Sequence, residues 1–80
     1  MPPLKNFKKL DVRPLLNAGQ EPLSEICRHL SLLKPDEGLI VIAPFLPSPL
    51  IERLGAEGFS SKIERGEGIA WIVYFWREVA

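Results

Sequence analysis

The side chains in this 80-residue sequence with chemistry to offer sit close together: Cys27, His29 and the carboxylates of Glu21 and Glu25. A metal centre needs three or four converging ligands of suitable type. The chain has one histidine, one cysteine and one methionine, so no metal and no cofactor is expected. A nucleophile, base and acid arrangement cannot be argued from one histidine. His29 follows Glu25 by four residues, the spacing of an ordinary ion pair on a solvated helix face. No phosphate-cradling loop is present, because Gly55, Gly58, Gly66 and Gly68 fall where helix ends and turns are expected. A reactive thiolate needs exposure and an electropositive neighbourhood. Cys27 falls inside an apolar stripe, which predicts a small, largely buried core residue.

That stripe defines the first helix. Leu23, Ile26, Cys27, Leu30 and Leu33 recur at helical spacing, while Ser24, Glu25, Arg28, His29 and Ser31 fall on other faces and Leu32 is predicted to be exposed. Pro22 is compatible only with the first turn, where its missing amide would have had no partner, so the helix starts near residues 19–21. Its free amides near Gly19, Gln20 and Glu21, with Arg13 nearby, are a candidate place for a ligand or a partner's polar group. Glu21 works against an anion there, since its carboxylate already uses the positive end of the helix dipole.

Other elements frame this helix. Residues 7–12 read as a short strand ended by Pro14, and residues 13–19 as a loop. Lys34-Pro35-Asp36-Glu37-Gly38 is a loop by composition, and Leu39-Ile40-Val41-Ile42-Ala43 is the continuous apolar run of a buried strand. Ser48 as N-cap and Pro49 as first helical residue start a second helix reaching about Glu57, with Leu50, Ile51 and Leu54 inward and Gly58 as its stop. Residues 59–64 alternate as an edge strand, and residues 65–68 turn it into the long apolar strand 69–77, an antiparallel hairpin. The order is β-α-β-α-β-β. Right-handed crossovers place both helices on one face of a four-stranded mixed sheet, an α+β two-layer sandwich in one domain over residues 1–80, with 1–6 as an N-terminal extension.

The strand end Leu10-Asp11-Val12-Arg13-Pro14-Leu15, followed by Gly19-Gln20-Glu21-Pro22, resembles the TusA/SirA-like sulfur-carrier superfamily over residues 10–77. In that superfamily the helix opens with Cys-Pro-x-Pro, and the cysteine carries a persulfide. The matching residues here keep only the last proline, Pro22, and Gly19 stands at the cysteine's place. The chain therefore looks like a branch of short TusA-like proteins without the carrier thiol. The resemblance implies the same sandwich and a small non-enzymatic interaction module, linked by analogy to redox or nitrogen-oxide metabolism. The alternative it implies is a sulfur-transfer protein that uses Cys27.

Ten basic and ten acidic residues cancel, which excludes a global field drawing in nucleic acid or an anionic membrane. Lys5, Lys8, Lys9 and Arg13 face only Asp11 in the first segment, as befits a charged edge strand that resists further pairing. No run approaches the ~20 apolar residues of a membrane helix. A lone cysteine forms no intrachain disulfide, so a reducing cytoplasm is the expected compartment. The final strand alternates Trp71, Val73 and Phe75 with Ile72, Tyr74 and Trp76. Because helices cover one face only, one row must point away from them. In the superfamily that the chain resembles the row of Trp71, Val73 and Phe75 looks inward, and that resemblance implies Ile72, Tyr74 and Trp76 as the interface, for a homodimer or another protein, unless the N-terminal segment with Leu4 and Phe7 folds over it.

Overall fold

The computed structural model describes residues 2–68 and 70–77. After a single 3-10 turn at Leu4–Asn6, the elements are β1 (Phe7–Asp11), α1 (Arg13–Asn17), α2 (Leu23–Ser31), β2 (Gly38–Ala43), α3 (Ser48–Ala56), β3 (Phe59–Arg65) and β4 (Trp71–Arg77). The strands form one sheet in the order β1-β2-β4-β3. β1 runs parallel to β2, and β4 lies antiparallel to both β2 and β3. This is the two-layer α+β sandwich with a four-stranded mixed sheet that the sequence predicts. Ile69, taken as the start of the last strand, lies outside the described residues.

The continuous apolar run makes β2 a central strand, and its register with β4 decides what each face holds. Leu39 pairs with Phe75 and Val41 with Val73, and all four side chains are fully buried beneath the helices. Ile26 and Leu30 of α2 and Leu54 of α3 close this core from above. Burying side chains of this size contributes about 1.5–3 kcal/mol each, and a chain this short has few others to rely on. Leu32 is exposed, as its place off the stripe requires.

The other face is not left bare. Phe7 pairs with Gly38, which pairs in turn with Trp76, so the three lie in a row across β1, β2 and β4. A Cβ on Gly38 would fall 2.3–2.7 Å from three atoms of the Phe7 ring, so glycine is what lets the ring lie over β2. From there Phe7 meets Tyr74 edge-on at 5.5 Å between centroids and Trp76 at 6.3 Å. Trp76 is only 8% exposed and Ile40 only 7%. The expectation of an open apolar row is corrected accordingly: of Ile72, Tyr74 and Trp76, the tryptophan is buried within its own chain, and Ile72 and Tyr74 are half-buried. Phe7 provides this cover, whereas Leu4 remains largely exposed.

Further differences are local. Residues 13–17, expected as loop, form α1, with Pro14 in its first turn and the Asp11 carboxylate accepting the Arg13 amide at 3.0 Å. α2 begins at Leu23, later than residues 19–21, because the chain first closes the turn of α1 through Gly19 N–H to Leu16 and Gln20 N–H to Leu15. Ser48 is the first residue of α3 rather than its cap, since Pro47 takes the flanking position. Cys27, expected to be largely buried, is half-buried, at the margin of the stripe that Ile26 and Leu30 centre.

Candidate functional site

At the carboxyl ends of β1 and β2 the helices diverge and leave an open cleft of about 310 Å³. Its floor is Val12, Val41 and Ala43; one wall is Pro22, Leu23 and Ile26 at the start of α2; the other is Pro47, Pro49, Leu50 and Arg53 at the start of α3, with Phe45 between floor and wall. The parallel pair β1 and β2 ends here, and the crevice beyond the carboxyl ends of such strands is where open α/β sheets bind ligands.

Proline shapes this cleft. Pro22, Pro47 and Pro49 stand at the two helix starts, where a missing amide leaves no orphan donor. The same residues present rigid hydrocarbon, so the walls are apolar and already ordered. Phe45 is 51% exposed, a large aromatic left in water beside the cleft. Among the described residues of the lining Arg53 alone is charged, and its Nε lies 3.7 Å from a Glu57 carboxylate oxygen. The arrangement is suited to holding an apolar group.

The residues singled out from sequence at the helix start are arranged differently. The Glu21 carboxylate accepts the amides of Leu23 at 2.6 Å and Ser24 at 3.3 Å, and the Ser24 hydroxyl at 3.1 Å, so the start of α2 is satisfied by the chain itself. Arg13 is drawn back onto Asp11, with its Nε and Nη2 donating to both carboxylate oxygens at 2.6–3.1 Å. Hydrogen bonding from that guanidinium holds the Asp11 carboxyl below its ordinary range. Gly19 and Gln20 are exposed; Gly19 has a left-handed backbone, φ 74°, and neither lines the cleft. The structure thus separates Arg13, Gly19, Gln20 and Glu21 from the cleft, although Pro22 next to them forms part of its wall.

Cys27 lies outside the cleft lining. The His29 ring has Nδ1 2.8 Å from the Glu25 carbonyl and 3.9 Å from its carboxylate. The same carboxylate accepts from Arg28, whose hydrogen bond lowers the Glu25 pKa. Among the described residues no group of three or more His, Cys, Asp or Glu side chains is placed to hold a metal ion. On the far side of the sheet the Tyr74 hydroxyl donates to Glu64 at 2.7 Å, with the Lys62 ammonium 5.8 Å from the Tyr74 ring centre. Among the described residues no helix is long and apolar enough to cross a membrane.

The described cleft residues come from separate segments of the chain, two of which, around Val12 and Pro22, also carry the resemblance to sulfur carriers. Their one shared signal is the clustering of prolines at two helix starts with an unburied Phe45 nearby. No curated protein and no solved structure shows a significant match to the chain. A family model described as an uncharacterized conserved protein, DUF2249, matches residues 9–77, which take in all of the sheet but the first two residues of β1, the helices and every described residue lining the cleft, and the chain belongs to that family.

Proposed function

We propose that the chain is a non-enzymatic interaction module that holds a partner protein by taking one of its apolar side chains into the cleft between α2 and α3. The observation that carries this reading is the cleft itself: about 310 Å³, walled by proline and aliphatic side chains, with half-exposed Phe45 beside it. A preordered apolar hollow lowers the entropic cost of binding, and aromatic anchors commonly supply much of an interface's energy. The resemblance to sulfur carriers supports the reading, because the cleft adjoins the segment that holds the persulfide cysteine in that superfamily. Here Gly19 leaves recognition without the cargo atom. By that same analogy the module serves redox or nitrogen-oxide metabolism, and the lone cysteine supports a reducing cytoplasm as its compartment.

The test is a titration of short Leu- and Phe-bearing peptides into isotope-labelled protein, followed by NMR. Saturable shifts confined to Val12, Ile26, Val41, Ala43 and Leu50 are expected, lost in Ala43→Leu, which fills the floor, and weakened in Phe45→Ala. Absence of saturation, or unchanged binding in both variants, overturns the assignment.

A second reading, persulfide transfer through Cys27, is favoured by one observation: the thiol is half-buried rather than sealed. Mass spectrometry after incubation with a persulfide donor decides it. A persulfide on Cys27 that passes to an acceptor thiol would establish transfer; an unmodified cysteine removes it.

A further inference from the structure

β3 is the last strand of the sheet, hydrogen-bonded within the described residues to β4 alone, so one side of its backbone faces outward. Such an edge is a template for another strand unless its side chains forbid pairing. Ile63, midway along β3, is 45% exposed even though it shares the face of the sheet that the helices cover. Lys62 and Glu64 flank it on the opposite face, where Lys62 Nζ lies 3.5 Å from Glu64 Oε2.

We infer that β3 pairs antiparallel with β3 of a second copy of this chain, with Ile63 opposite Ile63. This association goes beyond the cleft reading and uses a surface distinct from it. The charge pattern selects the register. Outward-pointing amides alternate along a strand, so only registers that pair residues of like parity can form the ladder. Centring the pair on Lys62 sets Lys62 against Lys62, and centring it on Glu64 sets Glu64 against Glu64; like charges directly opposite one another are unfavourable. Centring it on Ile63 sets Lys62 of each copy against Glu64 of the other, twice, by symmetry. It also brings the two exposed isoleucines together and matches Ser61 with Arg65. The interface is self-complementary, as a two-fold dimer requires.

The opposite edge does not offer the same solution. Full overlap of β1 with its copy sets Lys9 against Lys9. The charge-matched register, Leu10 on Leu10, is cut short because α1 begins at Arg13, and its Asp11 is already held by Arg13. Pairing at β3 leaves both clefts accessible, since no residue of β3 lines them.

Sedimentation velocity over a wide concentration range tests the pairing. The parent is expected to show a reversible, concentration-dependent dimer. Lys62→Glu and Glu64→Lys each replace two favourable cross-strand pairs with repulsive ones and should weaken it about tenfold or more. An equimolar mixture of the two variants should restore association, as should the double exchange in a single chain. Because Tyr74 bonds Glu64, circular dichroism checks that each variant folds, and Ile63→Lys, at an exposed position, provides a loss of dimer independent of that bond. A parent that stays monomeric, single variants that dimerise like the parent, or a mixture without rescue overturns the inference. Peptide binding in the cleft of the monomeric variants is measured in parallel. Its survival alongside a failed dimer test would locate the error at β3, and its loss from a parent that dimerises would locate it in the cleft.

Discussion

Gly38→Ala isolates the contact that closes the sheet face away from the helices. Alanine is permitted by the backbone here, since Gly38 is not among the glycines with positive φ. The conflict is steric: the new methyl would lie 2.3–2.7 Å from Cε2, Cδ2 and Cζ of Phe7, so the ring must leave. Its departure removes two edge-on aromatic contacts, with Tyr74 and Trp76, worth about 0.5–1.5 kcal/mol each. It also exposes part of a side chain whose full burial is worth about 1.5–3 kcal/mol. Restriction of the unfolded chain by alanine returns about 0.4–1 kcal/mol. The net expectation is a loss of about 1–3 kcal/mol, or roughly 5–20 °C in Tm for a domain of this size. Denaturant unfolding monitored by circular dichroism measures it, and Phe7→Ala completes a double-mutant cycle. In the Phe7→Ala background Gly38→Ala should be neutral or slightly stabilising, giving a coupling above about 1 kcal/mol. An equal cost in both backgrounds, or stability within about 0.3 kcal/mol of the parent, would refute the steric argument.

Two further predictions concern α2 and the Tyr74–Glu64 pair. Ile26 is buried and its amide bonds the Pro22 carbonyl, so Ile26→Pro should cost about 3 kcal/mol or more and unfold the domain; a folded, equally stable variant by circular dichroism would contradict the helix assignment. Tyr74 is the single tyrosine, and its hydrogen bond to the Glu64 carboxylate raises the phenol above its ordinary value of 10.0, while the same bond lowers Glu64 below 4.5. A raised phenol contributes stability that is complete below its unfolded pKa and fades as pH rises through the folded one. A lowered carboxyl contributes stability that is complete above its unfolded pKa and fades as pH falls through the folded one. The pair therefore stabilises between roughly 4.5 and 10. Phenolate absorbance should show a high midpoint that drops in Glu64→Gln, and an unchanged midpoint would mean the bond does not form in solution.

How much of this was legible depends on whether the cause is local. The stripe through Ile26 and Leu30 and the run Leu39 to Ala43 identify their elements because burial imposes a period on neighbouring residues. α1 was not legible, since five residues span little more than a turn and Pro14 reads equally well as a strand end. The hairpin of β3 and β4 follows from its glycines, but nothing in the pattern says that β4 also pairs with β2. Without that register the row Phe7, Gly38, Trp76 cannot be assembled, and Trp76 looks exposed. The cleft escaped for the same reason. Its walls are brought together by tertiary placement, while Arg13 and Glu21, conspicuous as charges, are spent on their own backbone and on Asp11.

The position of β4 has a consequence for how the molecule comes into being. A ribosome delivers β4 last of the strands, yet β4 lies between β2 and β3 and brings Val73 and Phe75, both fully buried. Until residue 77 has cleared the exit tunnel, β3 has no neighbour in the sheet and the apolar run of β2 has one open side. Partial folding during synthesis can reach β1, α2 and β2 and go no further, so the sheet must be completed in one late, long-range step, the kind of step that is slow and exposes apolar edges meanwhile. Released chains that stop just short of β4 should thus present residues 39–43 as a chaperone substrate, and addition of that strand is the event that withdraws them.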